Sequence, residues 1–401
     1  LNLNEFNDKL AERRKLREII LAVSLKDIAQ RIGVSSVAVS LALRGDERIS
    51  EARRRQIRSI AGELGYRPNL TARAMRTRRS HTVGMLLADL RTATSNLKIE
   101  AIERQMVQSG HQLLLGFTGA EETRLFEYVE SMISRQVDGL IIFGPHGGPD
   151  ASGKDHSSKQ KPEQVWQRLR ERVGGQSVPI VLADVRAAAG EWFTQIGINR
   201  STAMGSAVRH LVALGHRNLM YVGPIAGSSS EKWNGVLEAV RASTIRGIRV
   251  RFGSLDGSPF RESQQVARLR PSVGSAGIAS ASDVPDSAGA LADRIASLPA
   301  DDRPTALIAA SDLIAMALIG RLADRGLRTP GDISVTGFDG DEIACRLFRP
   351  RLTTVLQPRD LLAERVVAAL LQMLSGSDGQ TRNEEIETVL LTGESTGAPH
   401  H

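Results

Sequence analysis

The chain has 401 residues and one cysteine, Cys345, which excludes an internal disulfide and a zinc site built on cysteines. It has no apolar run of the roughly 18–20 residues that a membrane span requires. The apolar run at residues 19–23 is too short for the core of a signal peptide, and charges of both signs surround it. These lacks predict a cytoplasmic protein with no membrane partner. No G-x-S-x-G, H-E-x-x-H or paired acid–base constellation is present, so no catalytic centre is expected. Residues 148–155, GPDASGKD, approach a phosphate-binding loop. Asp155 stands where the magnesium-binding hydroxyl belongs, and polar His156-Ser157-Ser158 stands where a helix should start. The reading is therefore of a chain that is not an enzyme and has no metal or cofactor.

What is present is an ordinary globular composition, 41% hydrophobic and 24% charged, in a chain long enough for two or three domains. The formal net charge is +7 and unevenly spread. Residues 1–80 hold 18 Lys and Arg against 9 Asp and Glu, and the rest hold 34 against 36. Excess positive charge confined to one end favours a polyanionic partner.

That end has a specific pattern. Ser24 and Asp27 fit a capping box, and Leu25, Ile28, Ala29 and Ile32 recur at helical spacing. Gly33 supplies the turn. Ser35 can cap a second helix whose inner stripe is Val34, Ala38, Val39 and Ala42. The small Ala29 marks a close helix crossing. Together these features predict a helix-turn-helix, whose second helix enters the major groove of duplex DNA. Its outward residues Ser35, Ser36, Val37 and Ser40 are candidate base or phosphate contacts, with Val37 suited to a thymine methyl. Ser50 should cap a third helix over residues 51–64, where Arg54 and Arg55 are candidate phosphate contacts. The bland alternative is a small helical bundle.

From residue 81 the pattern becomes alternating strands and helices, which implies parallel sheets with helices on both faces. Strands are expected at 82–89, 112–117, 139–143, 180–184, 219–222, 306–309 and 334–338. Asp89, Asp184, Ser311-Asp312 and Asp339 fall at strand carboxyl ends, where open α/β sheets bind ligands. An Asp in such a place often just caps the next helix. Residues 144–178 read as a polar surface excursion rich in Gly, Pro, Ser and Lys.

The run Leu25-Lys26-Asp27-Ile28-Ala29, Gly33-Val34-Ser35, Val39-Ser40, Gly65-Tyr66-Arg67-Pro68-Asn69 and Ala72-Arg73-Ala74-Met75 resembles the LacI/GalR family of bacterial transcription repressors. The likeness continues to about residue 395. It implies an N-terminal all-α helix-turn-helix DNA-binding domain (24–68) behind an extension (1–23). A hinge helix and linker (69–80) follow, then a C-terminal α/β, two-lobed, periplasmic-binding-protein-like domain (81–401) for effector binding and dimerisation. Lobe 1 would span about 81–195 and 357–386, lobe 2 about 196–356 and 387–395, with the insertion at 144–178.

The resemblance implies that Asn69 caps the hinge helix, that Arg73 lies on it, and that Met75 takes the place of the leucine wedged into the minor groove. It places Asp89, Asp184, Lys232, Ser311, Asp312 and Asp339 in the effector cleft. Expected partners are a near-palindromic DNA operator, a second copy of the chain, and a small-molecule effector that is carbohydrate-like or a sugar acid. The nucleoid is the expected location.

There are departures. The family usually has Thr at Ala38 and often Arg at Leu41. Its Asn-Pro-Phe-Phe is Thr92-Ala93-Thr94-Ser95 here, its effector-holding Arg is Lys232, and its Asn before Asp312 is Ser311. Neither an aromatic platform nor a forked guanidinium is then expected in the cleft, and a regulator that has lost small-molecule sensing is the competing reading. A solute-binding protein of the same body fold predicts a signal peptide and no helix-turn-helix. A kinase fused to a DNA-binding domain needs the missing phosphate loop.

Overall fold

A computed structural model describes residues 23–67, 74, 77, 79–88, 93–119, 121–144, 162–174, 178–185, 193–224, 229–255, 260–262, 284–376 and 381–399. The chain divides into two compact units between Arg78 and Arg79.

The first unit contains helices α1 (Leu25–Ile32), α2 (Ser36–Leu43) and α3 (Glu51–Glu63). The Ser24–Asp27 capping box forms, with the backbone N–H of Ser24 donating to the Asp27 carboxylate at 2.7 Å. Gly33 adopts φ 72°, a left-handed turn that glycine takes without strain. Ser35 accepts the Ala38 N–H at 3.1 Å and starts α2. Ile28, Ala29, Val39, Ala42, Ile57 and Ala61 form the core. Ser50 precedes α3 as expected, but its hydroxyl makes no capping bond.

The second unit begins with β1 (Thr82–Leu87), α4 (Ala93–Gln108), β2 (Gln112–Phe117), α5 (Glu122–Ser134) and β3 (Gly139–Phe143). Then come α6 (Pro162–Val173), β4 (Ile180–Ala183) and β5 (Thr194–Ile198). The chain continues through α7 (Arg200–Ala213), β6 (Asn218–Val222), α8 (Ser229–Ala242), β7 (Arg249–Gly253) and β8 (Arg261–Glu262). It follows with α9 (Val284–Ala296), β9 (Ala306–Ala309), α10 (Asp312–Ala323) and β10 (Ser334–Asp339). It ends with β11 (Thr353–Leu356), α11 (Arg359–Ser375), β12 (Asn383–Ile386) and β13 (Val389–Leu391).

These strands make two sheets, ordered β12-β5-β4-β3-β1-β2 and β13-β11-β10-β9-β6-β7-β8. The first is parallel throughout, and the second is parallel except at its edges, where β13 and β8 run antiparallel. The near-continuous apolar strands Leu140-Ile141-Ile142-Phe143 and Ala306-Leu307-Ile308-Ala309 are buried on both faces, as parallel strands require. The chain passes between sheets after Ile198, after Leu356 and after Ile386. The first passage comes at the end of β5, which pairs with β4 and β12.

The expected polar excursion at 144–178 is corrected in part. Residues 145–161 lie outside the described ones, but Pro162–Val173 is a helix with Val165, Trp166, Leu169 and Val173 buried against the first sheet. Those residues recur every three or four positions, and the glutamates, glutamines and arginines between them conceal the stripe.

Helices α7 and α8 cross at Gly235, where an added Cβ would fall on the Ser201 backbone carbonyl. This approach sets the first turn of α7 beside α8. We expect Gly235→Ala to destabilise the protein by about 1–3 kcal/mol through overpacking, read as a lower urea midpoint at constant slope.

Candidate functional site

On the helix-turn-helix unit, the start of α2 presents Val37 with 67% of its surface exposed, an apolar side chain with no packing role there. Ser36 and Ser40 are half-buried beside it, while the Ser35 hydroxyl is engaged in the helix cap. The two candidate arginines of α3 separate. Arg55 has a side chain 74% exposed and only a long contact, 4.0 Å, to Glu51. Arg54 is 18% exposed, donates to the Gly45 carbonyl at 2.6 Å and pairs with Glu51 at 2.7 Å. Arg54, a candidate phosphate contact, here clamps the loop between α2 and α3. Asn69, Arg73 and Met75 lie outside the described residues.

In the second unit, charged side chains from both lobes converge. Lys98, on the buried face of α4, is 2% exposed. Its ammonium donates to Asp184 Oδ2 at 2.6 Å and to Gln357 Oε1 at 2.5 Å. Asp184 follows β4, and its Oδ1 accepts from Arg200, the first residue of α7, at 2.7 Å. Arg200 also donates to the Asp184 backbone carbonyl and lies 3.8 Å from Glu231. Gln357 follows β11 and hands the network on, its amide N–H donating to Asp339 Oδ1 at 2.7 Å. Lys232, on α8, donates to the Ala310 carbonyl at 2.6 Å and sits 3.9 Å above the Phe338 ring.

Burial pushes the Asp184 carboxyl up, but Arg200 and Lys98 outweigh it, and the group ends below its ordinary range. Burial draws Lys98 down against the pull of Asp184. It brings Lys232 down to about 8 and pushes Asp339 up. Both carboxylates have unusual backbones, with φ 54° at Asp184 and φ 135° at Asp339. Non-glycine residues adopt such angles only where the surroundings impose them.

Of the residues expected in the cleft, Asp184, Lys232 and Asp339 come together. Ser311 instead caps α10, accepting the Ile314 N–H. Asp312 braces its own lobe, accepting from the Thr354 hydroxyl and the Asp341 N–H, both at 2.6 Å, and is 1% exposed. Burial lifts its carboxyl to about 7. Both side chains thus have structural partners within the second lobe. Asp89 lies outside the described residues.

Lys98 and Arg200 were not anticipated. Lys98 shares a helix face with Ala101, Ile102 and Met106, all buried, which is the signal it offered. Arg200 stands in a first helical turn, where a cation opposes the helix dipole. Arg200 brings a forked guanidinium into this cluster, where it is bonded to Asp184.

Comparison with known proteins agrees with this layout. A model described as bacterial regulatory proteins, lacI family, matches residues 24–69, and one described as a periplasmic binding protein-like domain matches residues 208–396. The HTH-type transcriptional repressor PurR of Escherichia coli O139:H28 is 27% identical over 370 residues, covering 92% of this chain and 95% of that one. Its counterpart in Klebsiella pneumoniae is 27% identical over 374 residues, with the same coverage. The chain belongs to the LacI/GalR family of bacterial transcription regulators. The fold matches the lac repressor dimer bound to operator and the anti-inducer ONPF, with TM-score 0.73, 23% identity and coverage of 94% of this chain and 100% of that one. The regulator CelR in complex with cellobiose matches at TM-score 0.56 and 22% identity, over 93% of this chain and 99% of that one. Among the described residues, no helix is long and apolar enough to cross a membrane.

Removing the shared carboxylate leaves two buried cations facing each other. We expect Asp184→Asn to cost about 3–5 kcal/mol, measured by urea unfolding. A loss below about 1 kcal/mol would show that Lys98 and Arg200 find other partners.

Proposed function

We propose that this DNA-binding regulator represses transcription as a homodimer on a near-palindromic operator, one helix-turn-helix per half-site, under control of a small molecule between its lobes. The observation that carries the DNA side is Val37, exposed at the start of the groove-facing helix α2 and flanked by Ser36 and Ser40. An apolar tip suits a thymine methyl, and serines suit phosphates or base edges. Arg55 adds sequence-independent attraction. In this reading Asn69, Arg73 and Met75 belong to a hinge helix that orders on DNA. Eight residues hold too few turns to be stable alone in water.

A second copy has an available surface. Leu115 and Phe117 are exposed on the same face of the edge strand β2, and Val107 is exposed on α4. Exposed apolar groups beside an unpaired strand edge favour self-association.

For the effector, the reading remains a sugar, sugar acid or related metabolite, with Asp89, Asp184, Lys232, Ser311, Asp312 and Asp339 as contacts. The complex of the structurally similar CelR with cellobiose supports an occupant of this class. The same regulator without small-molecule sensing is the second reading, favoured by the extent to which the cleft's charges already pair with one another.

Two experiments test these statements. On operator DNA selected from a random pool, Arg55→Ala should flatten the dependence of log affinity on log salt by about one. Arg54→Ala should act by destabilising the helix-turn-helix, by about 1–2 kcal/mol. An unchanged slope for Arg55→Ala removes that contact. A thermal-shift screen of sugars, sugar acids and sugar phosphates should find a ligand that raises the melting temperature of wild type and not of Asp339→Ala. A screen with no responder favours the second reading.

A further inference from the structure

The polar groups that would join a ligand to both lobes are already joined by the chain itself. Two routes cross between the sheets. One runs from Asp184, at the end of a first-sheet strand, to Arg200 on α7, which packs with the second lobe. The other runs from Lys98 on α4 through the Gln357 side-chain amide to Asp339, at the end of a second-sheet strand. Lys98 belongs to both routes, because it also pairs with Asp184.

The cluster is enclosed, with Lys98 at 2%, Asp184 and Gln357 at 7% and Arg200 at 8% exposure. Among the described residues, Lys98, Arg200 and Lys232 face Asp184, Asp339 and Glu231. Buried charge without a partner is too costly to persist, so this pairing requires the lobes to be together. Gln357 fixes the direction of the second route. Its carbonyl oxygen accepts from Lys98 and its N–H donates to Asp339, so neither end of the amide can be exchanged.

We propose that Lys98 acts as the cleft's internal ligand, an ammonium on the chain's own helix that bridges the two lobes in place of a small molecule. The lobes are then held together in the ligand-free protein. A controlling molecule acts by displacing Lys98 from Asp184 and Gln357, and not by filling an empty cleft. The inference rests on the interlobe cleft being the control site.

The test is an interlobe distance in the full-length, ligand-free protein. Spin labels at cysteines replacing Glu127 on α5 and Arg241 on α8, both exposed, would be measured by pulsed electron resonance in a Cys345→Ser background. The expected result is one narrow distance distribution in the parent. In Lys98→Leu, which keeps the apolar stem and removes the ammonium, the distribution should broaden and gain a longer population. Arg200→Gln gives the same readout through the other route and serves if Lys98→Leu fails to fold. A distribution unchanged in both variants, or already broad in the parent, overturns the proposal. Operator binding measured on the same samples keeps the two readings apart. A bridge intact in a protein that no small molecule regulates overturns the control-site reading alone.

Discussion

One carboxylate serving two cations sets the arrangement of the larger unit. Asp184 accepts from Lys98 on one oxygen and from Arg200 on the other. Without it the two cations would face each other directly, and burial already disfavours the charge on Lys98. The net contribution of such a group to stability is small, because desolvation consumes most of the attraction. Its contribution to geometry is large. The carboxylate fixes where α4 of the first lobe and α7 of the second must lie, and any lobe movement has to break or rebuild these bonds.

The carboxylates at strand ends thus divide by where their partners lie. Asp184 and Asp339 connect to groups carried on the other lobe or on a crossover, and both have left-handed backbones that aim them there. Asp312 ties α10 to β11 and to the turn after β10 within one lobe. Gly337 makes that brace possible, because a Cβ at this position would collide with the Asp312 carboxylate. Rigid lobes and a polar seam between them are complementary requirements. A displacement at the seam moves a whole lobe only if the lobe does not deform, and Asp312 resists deformation on the side that faces the seam.

This division also explains how much was legible in the sequence. The strands at 112–117, 139–143 and 306–309 appear where alternation and apolar runs put them, because a strand's burial is recorded in its own residues. The helix-turn-helix was legible for the same reason, with caps and apolar spacing all within about twenty residues. The seam was not. Lys98 meets Asp184 across 86 positions and Gln357 across 259, and no local pattern carries that pairing. Local sequence alone also gave Asp184 and Asp312 the same description, a carboxylate after a strand. Their different fates depend on how the chain turns next: a helix starting at once draws Asp312 into its own lobe, while Asp184 stands before a strand that leads to the crossover.

The helix-turn-helix unit shows the same logic on a smaller scale. Arg54 and Arg55 are adjacent and chemically identical, yet one is a clamp and the other is exposed with one long contact to Glu51. Arg54 stands three residues before Ile57 and seven before Ala61, both buried, so helical periodicity turns it inward beside the loop carbonyl it holds. Arg55 is rotated about 100° away, into solvent. A basic run on a DNA-binding helix is therefore not a count of phosphate contacts. Cations on the inner stripe fix the loop that orients α2, and only those on the outer stripe add to the salt-dependent attraction. Around α2 itself, Leu41 stands on the helix and Val37 is exposed at its start, so the long charged side chains lie on α3 and not on α2. The Arg54 clamp acts on the loop that precedes α3, turned away from the surface that α2 presents.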